Sequence, residues 1–297
     1  SWSEGQFAGQ EPESELYTAA ESVTSIDPVW PRFWGALPDN WDRKDPDRMQ
    51  QDTRNAIRTA NLIKTVRDTP FFAALGIYRP HSRWFVPKRY FDLYPVSELR
   101  TPSGYTDGDL DDLPPPARWL ASHNVTPDTH RTLVEKGLWL HAIQAYCASI
   151  SYADEQLGRV LDALEASPHN SNTIILLCSD HGYHLGEKDH WNKFTLWERS
   201  TRVPLLVSVP GQTQREPSVC STPVSLIDIY PTLTRLCGLP HPTSHRLEGE
   251  DISPMTRKPG RRRRSPVLTT YGRGNHSLRS PRWRYIRYAD GSEELYD

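Results

Sequence analysis

Asp180, His181 and Lys193 are the residues whose types and spacing point most directly to chemistry. They belong to one stretch, Ile174 to Lys193, which reads IILLCSDHGYHLGEKDHWNK. An acid with an adjacent imidazole suits a divalent cation, and the lysine thirteen residues after Asp180 suits an anion beside that cation. Together they predict a metal-assisted site for a charged oxyanion ester.

Such groups need an element to hold them. Five apolar residues, Ile174 to Cys178, run directly into Ser179-Asp180-His181-Gly182. That pattern predicts a strand buried on both faces that delivers polar groups at its carboxyl end, where α/β sheets hold ligands. Gly182 lets the backbone turn tightly just beyond the acid and the imidazole.

The order Asp180-His181-Gly182, Leu185-Gly186-Glu187, Trp191, Lys193, Arg202-Val203-Pro204 and Pro210-Gly211 resembles the metal and sulfate half of a type I sulfatase. Within that family the likeness is to the iduronate-2-sulfatase-like branch. The resemblance implies an α/β fold of the alkaline-phosphatase-like kind: a large mixed, mostly parallel sheet flanked by helices, with the start of a small antiparallel C-terminal subdomain. It divides the chain into a catalytic domain over 1–258, lacking its N-terminal part, and the start of that subdomain over 259–297.

Site residues follow by the same resemblance. Asp180 and His181 are expected to bind one calcium ion, and Lys193 to bridge the sulfate and the leaving oxygen. His81, in the Arg79-Pro80-His81 context before Tyr94-Pro95, is expected to protonate the leaving group, with Arg79 a weaker substrate contact. His276, in Gly274-Asn275-His276, is a candidate substrate contact from the C-terminal strands. Many family members have His where this chain has Lys188, and His190 is shifted, so neither receives a role.

The family nucleophile is a formylglycine made from Cys or Ser in a Cys/Ser-x-Pro-x-Arg motif, and no Cys or Ser of these 297 residues has that spacing. The paired aspartates that complete the calcium shell are also missing. Calcium prefers six to eight oxygens, so two ligands would hold it weakly. The expectation is a catalytically incompetent fragment cut at both ends, since the chain opens at Ser1 and stops at Leu295-Tyr296-Asp297 in what reads as strand entry. Two other readings stay open: a non-catalytic sulfated-glycan-binding homologue, and a phosphodiesterase or phosphonate hydrolase of the same superfamily. The resemblance implies a sulfated carbohydrate or small sulfate ester as partner and a periplasmic, secreted or lysosome-like setting.

Composition narrows the classes. Hydrophobic residues make up 36%, charged residues 24%, and the net charge is −2, without the basic excess of a nucleic-acid binder. No apolar run approaches the roughly 18 residues of a membrane span. Cys147, Cys178, Cys220 and Cys237 show no CxxC spacing, which argues against zinc; they read as free core thiols, with a Cys220–Cys237 bridge as the alternative. The 26 prolines gather in prospective loops, and tryptophans on such loops would suit sugar rings.

Along the rest of the chain, residues 1–40 read as irregular surface structure. A helix is predicted from Pro46, capped by Asp45, to Arg67, followed by a buried strand Phe71–Ile77. Residues 101–116 contain Asp107, Asp109, Asp111 and Asp112, but the EF-hand glutamate is missing, so they read as a solvated acidic loop. A long helix is predicted over Leu138–Ala166, a strand over Val203–Val209, and a helix over Val224–Leu236 closed by Gly238. Arg261 to Arg264 read as a solvated loop with a possible polyanion contact, and Val267–Asp297 as antiparallel strands.

Overall fold

The computed structural model describes residues 22–24, 34–41, 50–123, 129–213, 218–263 and 265–297. It is a mixed α/β structure that divides into two compact units, residues 1–103 with 129–171 and residues 104–128 with 172–297. The Asp45-Pro46 cap and Arg264 lie outside the described residues.

In the first unit, β1 (Ser22–Thr24) runs antiparallel to β2 (Trp34–Leu37), which pairs in parallel with β3 (Trp84–Pro87). Sequence reading missed β2 and β3. Each is only four residues long, too short for periodicity to register, yet every residue of both is buried. Helix α1 (Gln51–Lys64) buries Asp52, Thr53, Ala56, Ala60 and Ile63, the three- and four-residue steps of one helical face. Against it lies α2 (Trp139–Glu165), 27 residues, whose Tyr152 hydroxyl meets Thr53 Oγ1 at 2.7 Å.

Phe71–Ile77 is not a buried strand. The segment is without regular structure and alternates half-buried and exposed residues, with Phe72 70% exposed. The alternation is that of an extended chain with one covered face, but no described strand supplies a ladder on either side.

In the second unit, β4 (Ile175–Cys178) pairs antiparallel with β5 (Leu205–Ser208). The expected two-sided burial of β4 does not hold. Its first three residues are half-buried and Cys178 is exposed, because among the described residues β5 is its only ladder partner. The cysteines are likewise not core thiols: all four are free, Cys147 is half-buried and the other three are exposed.

Helix α3 (Ile229–Leu236) is entered through a capping box, Ser225 N–H donating to Asp228 Oδ2 at 2.8 Å. It leaves through Gly238 at φ +64°, with Leu239 N–H bonded to Thr234 O. The arginine run is not wholly solvated. Arg263 forms an ion pair with the fully buried Asp228, and only Arg261 and Arg262 of the described run face water.

The chain closes with a four-stranded antiparallel meander, β6 (Val267–Thr270), β7 (His276–Arg279), β8 (Arg284–Arg287) and β9 (Glu293–Tyr296). Ile286 and Tyr288 of this sheet region join Leu113, Ala117, Leu120, Ala121, Leu196 and Trp197 in one apolar cluster. That cluster ties the meander to the loop carrying the candidate chemistry. No helix of the described residues is long and apolar enough to cross a membrane.

Candidate functional site

At the carboxyl end of β4, Ser179 N–H reaches Pro204 O at 3.3 Å and its hydroxyl donates to His181 O at 2.8 Å. The turn is then locked from behind. Gly182 N–H donates to Ser200 O at 2.8 Å, and a Cβ at Gly182 would overlap the Arg199 carbonyl oxygen. Only glycine permits that approach.

The turn places Asp180, His181 and Lys193 together. His181 Nδ1 lies 2.8 Å from Gly182 O, an acceptor only, so Nδ1 carries the proton and Nε2 offers its lone pair. Lys193 Nζ stands 2.6 Å from that Nε2, and Asp180 Oδ2 is 3.5 Å from it. The Asp180 side chain is 84% exposed, so its carboxylate faces open space.

Lys193 owes its position to a buried loop. His184 N–H donates to Asn192 O and Gly186 N–H to His190 O, both at 3.0 Å. The fully buried His190 ring touches Lys193 O through Nε2 at 2.8 Å and Ala121 O through Nδ1 at 2.6 Å. Burial pushes its pKa down against the pull of those two carbonyls. Burial, and then the charge of His190, holds neighbouring His184 well below the usual histidine range. Lys188 is buried too, bonded to Asp109 Oδ1 at 2.9 Å and 5.2 Å from the Trp197 and Tyr296 ring centres. Asp109 is therefore a partner in this loop and not part of a wholly solvated acidic segment.

Asp180, His181 and Lys193 line an open cavity of about 1410 Å³ whose floor includes β6 and Tyr271. Phe194 enters it with backbone at φ +70°, a left-handed conformation that costs an L-residue about 1 kcal/mol or more. Its ring centre is 5.5 Å from Lys193 Nζ and 6.1 Å from that of Tyr271. Phe194, Tyr271 and the arginines of this cavity carried no role in the sequence reading. The left-handed Phe leaves no mark in residue type, and two of the arginines, Arg279 and Arg284, are brought in by strands about 90 residues downstream of Lys193.

His81 belongs to the first unit. Its loop is anchored by Asp52 of α1, whose carboxylate accepts Tyr78 N–H at 2.7 Å and Arg79 N–H at 3.0 Å. His81 Nδ1 meets Ser82 O at 2.6 Å, and its ring stacks on Tyr78 with centres 4.5 Å apart. Arg79 reaches Phe85 O at 3.4 Å. His276 opens β7 in an exposed position, with Nδ1 3.0 Å from Thr270 Oγ1, and is not among the residues lining the cavity.

The described residues do not by themselves fit a calcium ion. They contain no group of three acid, histidine or cysteine side chains able to hold a metal, and the His181 lone pair already faces the Lys193 ammonium. Asp180 and His181 are at most part of a donor set.

The sulfatase family profile matches residues 5–239. A sulfatase of Formosa agariphila is 39% identical over 264 residues, 89% of this chain and 50% of that protein. The iduronate 2-sulfatase of Mus musculus is 31% identical over 248 residues, 70% of this chain and 41% of that protein. The chain thus spans half or less of the length of these relatives. Among solved structures, the phosphonate monoester hydrolase of Agrobacterium radiobacter superposes with TM-score 0.71 at 22% identity, covering 93% of this chain and 57% of that one. A structure determined in complex with D-glucosamine-2-N,6-O-disulfate gives TM-score 0.62 at 18% identity, covering 84% and 63%. Both likenesses are of fold, the alkaline-phosphatase-like α/β class. With a family match over most of its length and these relatives in sequence, the chain belongs to the sulfatase family.

Proposed function

We propose that this chain is part of a sulfuric ester hydrolase that removes sulfate from a sulfated sugar or glycan, in the iduronate-2-sulfatase-like branch. The observation that carries the reading is the Lys193 ammonium set against His181 Nε2 beside the exposed Asp180 carboxylate, at a strand end opening into a large cavity. A cation there compensates charge on sulfuryl oxygens and on the leaving oxygen as the S–O bond breaks. Lys193 is assigned to that role, and His81, in the loop anchored by Asp52, to protonation of the leaving group. His276 is assigned a substrate contact from the C-terminal strands, which begin a subdomain at about residue 259.

Asp180 and His181 are assigned as two ligands of a calcium ion whose remaining donors come from outside these residues. The formylglycine nucleophile is assigned to the longer protein as well, since the Cys/Ser-x-Pro-x-Arg spacing is absent from this sequence. The chain alone is accordingly proposed to be inactive. The phosphonate hydrolase likeness is one of fold, whereas the sulfatases match in sequence at 31% and 39% identity, which favours the sulfate ester.

The test is sulfate release by the full-length protein from sulfated monosaccharides and an aryl sulfate, with Lys193→Ala alongside. Release that collapses in the variant supports the assignment. Unchanged turnover in Lys193→Ala, or hydrolysis of phosphonate esters alone, overturns it.

A further inference from the structure

The N-terminal end of α1 grips both sides of the loop that carries His81. On the entering side the Asp52 carboxylate, 4% exposed, takes Tyr78 N–H on one oxygen at 2.7 Å and Arg79 N–H on the other at 3.0 Å. On the leaving side Gln50, buried at the start of the helix, donates from Nε2 to Phe85 O at 2.8 Å. Between the two grips the Trp84 indole N–H donates to Pro80 O at 2.8 Å.

A buried carboxylate is costly unless its oxygens are occupied, and Asp52 commits both to consecutive amides of one loop. One such bond fixes where a chain sits. Two in succession also fix the direction in which it continues, and here it continues toward His81.

Tyr78 passes that direction on in three ways. Its carbonyl accepts His81 N–H at 2.9 Å, its ring lies against the imidazole with centres 4.5 Å apart, and its hydroxyl donates to Ser82 O at 3.4 Å. The same Ser82 carbonyl lies 2.6 Å from His81 Nδ1. A carbonyl only accepts, so Nδ1 keeps its proton and the imidazole can give one up only from Nε2. His81 is thus held at its backbone, at one ring face and at one ring nitrogen, each time by Tyr78 or by the carbonyl that Tyr78 touches.

From this arrangement we infer that Asp52 and Tyr78 are positioning residues for proton transfer: Asp52 sets the loop, and Tyr78 holds His81 so that Nε2 is the nitrogen presented to the leaving oxygen. The inference rests on the proposed sulfatase reading, because it takes His81 as the group that protonates that oxygen. In this step the S–O bond to the sugar breaks and its electron pair stays on the sugar oxygen. The Nε2 proton moves to that oxygen as the sulfuryl group passes to the nucleophile. A misplaced imidazole is felt where the leaving group needs the proton, as a sugar alkoxide does. It is felt little where the leaving group departs as a stable anion, as a nitrophenolate does.

Turnover of a sugar sulfate and of nitrophenyl sulfate by the full-length protein, with Asp52→Asn, Tyr78→Ala and His81→Ala, tests this. Asp52→Asn keeps the size of the side chain but leaves one accepting oxygen for two amides. Asp52→Asn and Tyr78→Ala should each lower kcat for the sugar sulfate at least about tenfold and for the aryl ester less than about threefold, the pattern of a displaced proton donor. His81→Ala should show the same selectivity at about 10²-fold or more. Adding Asp52→Asn to it should cost little further, because nothing remains to be positioned. Equal losses on both esters from Asp52→Asn and Tyr78→Ala, beside a selective His81→Ala, would reduce the two residues to fold support and overturn the inference while the role of His81 stands. A His81→Ala loss that ignores the leaving group would overturn that role, and a full-length protein that turns over neither ester would overturn the sulfatase reading; each takes the inference with it. Tyr78 is 46% exposed, so Tyr78→Ala decides the question by the same ratio if the buried Asp52→Asn variant fails to fold.

Discussion

Lys193 Nζ and His181 Nε2 face each other at 2.6 Å, across the one ring nitrogen that Gly182 O leaves open. The pair acts as a unit, because the lysine is aimed by the same imidazole that stands next to Asp180. In the full-length protein, Lys193→Ala should lower kcat about 10²- to 10³-fold, the usual loss for one preorganised charge-stabilising group. Lys193→Arg should not restore it, since a planar fork cannot replace a compact ammonium. His181→Ala combined with Lys193→Ala should cost much less than the product of the single losses, which steady-state kinetics on the three variants will show.

Gly182 should tolerate no side chain. Gly182→Ala forces a methyl group into the Arg199 carbonyl and should destabilise the fold by about 1–3 kcal/mol. A denaturant midpoint unchanged from wild type would contradict this packing.

Phe194 should show a trade between stability and binding. Phe194→Gly releases the left-handed penalty, and its side chain is 38% exposed, so thermal stability should stay level or rise slightly. Losing the ring beside Tyr271 should raise KM for sugar sulfates, with kcat falling less. Scanning calorimetry and steady-state kinetics on one preparation read both.

Stability should fall on mild acidification. His184 and His190 have pKa values lowered by burial, while in the unfolded chain both return to about 6.5. The unfolded state then binds more protons below that value, so stability is full above it and is lost as pH falls from about 7 toward the depressed folded values. Urea midpoints at pH 7.5 and 5.5 should differ in that direction, and His184→Gln should flatten the dependence.

The arginine run should divide by position. Arg263→Ala leaves the Asp228 carboxylate buried without its cation and should cost about 3–5 kcal/mol. Arg261→Ala and Arg262→Ala, at solvated positions, should stay within about 0.5 kcal/mol of wild type.

Legibility followed length and locality. Helix α2 was readable because 27 residues repeat one face many times, and the Asp180-His181-Lys193 group because it lies within a single stretch of sequence. The four-residue strands β2 and β3 are shorter than any period, and β4 reads as two-sided core although only β5 pairs with it among the described residues. Cys178 and Cys220 look like core thiols by residue type alone; their exposure depends on which neighbours cover them. Arg279 and Arg284 reach the cavity only through the meander, a placement that local pattern does not encode.

His190 moors the backbone of the candidate lysine to Ala121, on a helix that does not line the cavity, whereas Arg202 stands on its open rim. Only the mooring of the lysine is independent of that rim, since the 198–201 helix that ends at Arg202 also locks the turn behind Gly182. Divergence within such a lineage can redraw the rim by one exposed side chain at a time without disturbing the reacting end. Substitutions in the 115–123 helix, by contrast, should emerge as slow enzymes whose substrate preference is intact.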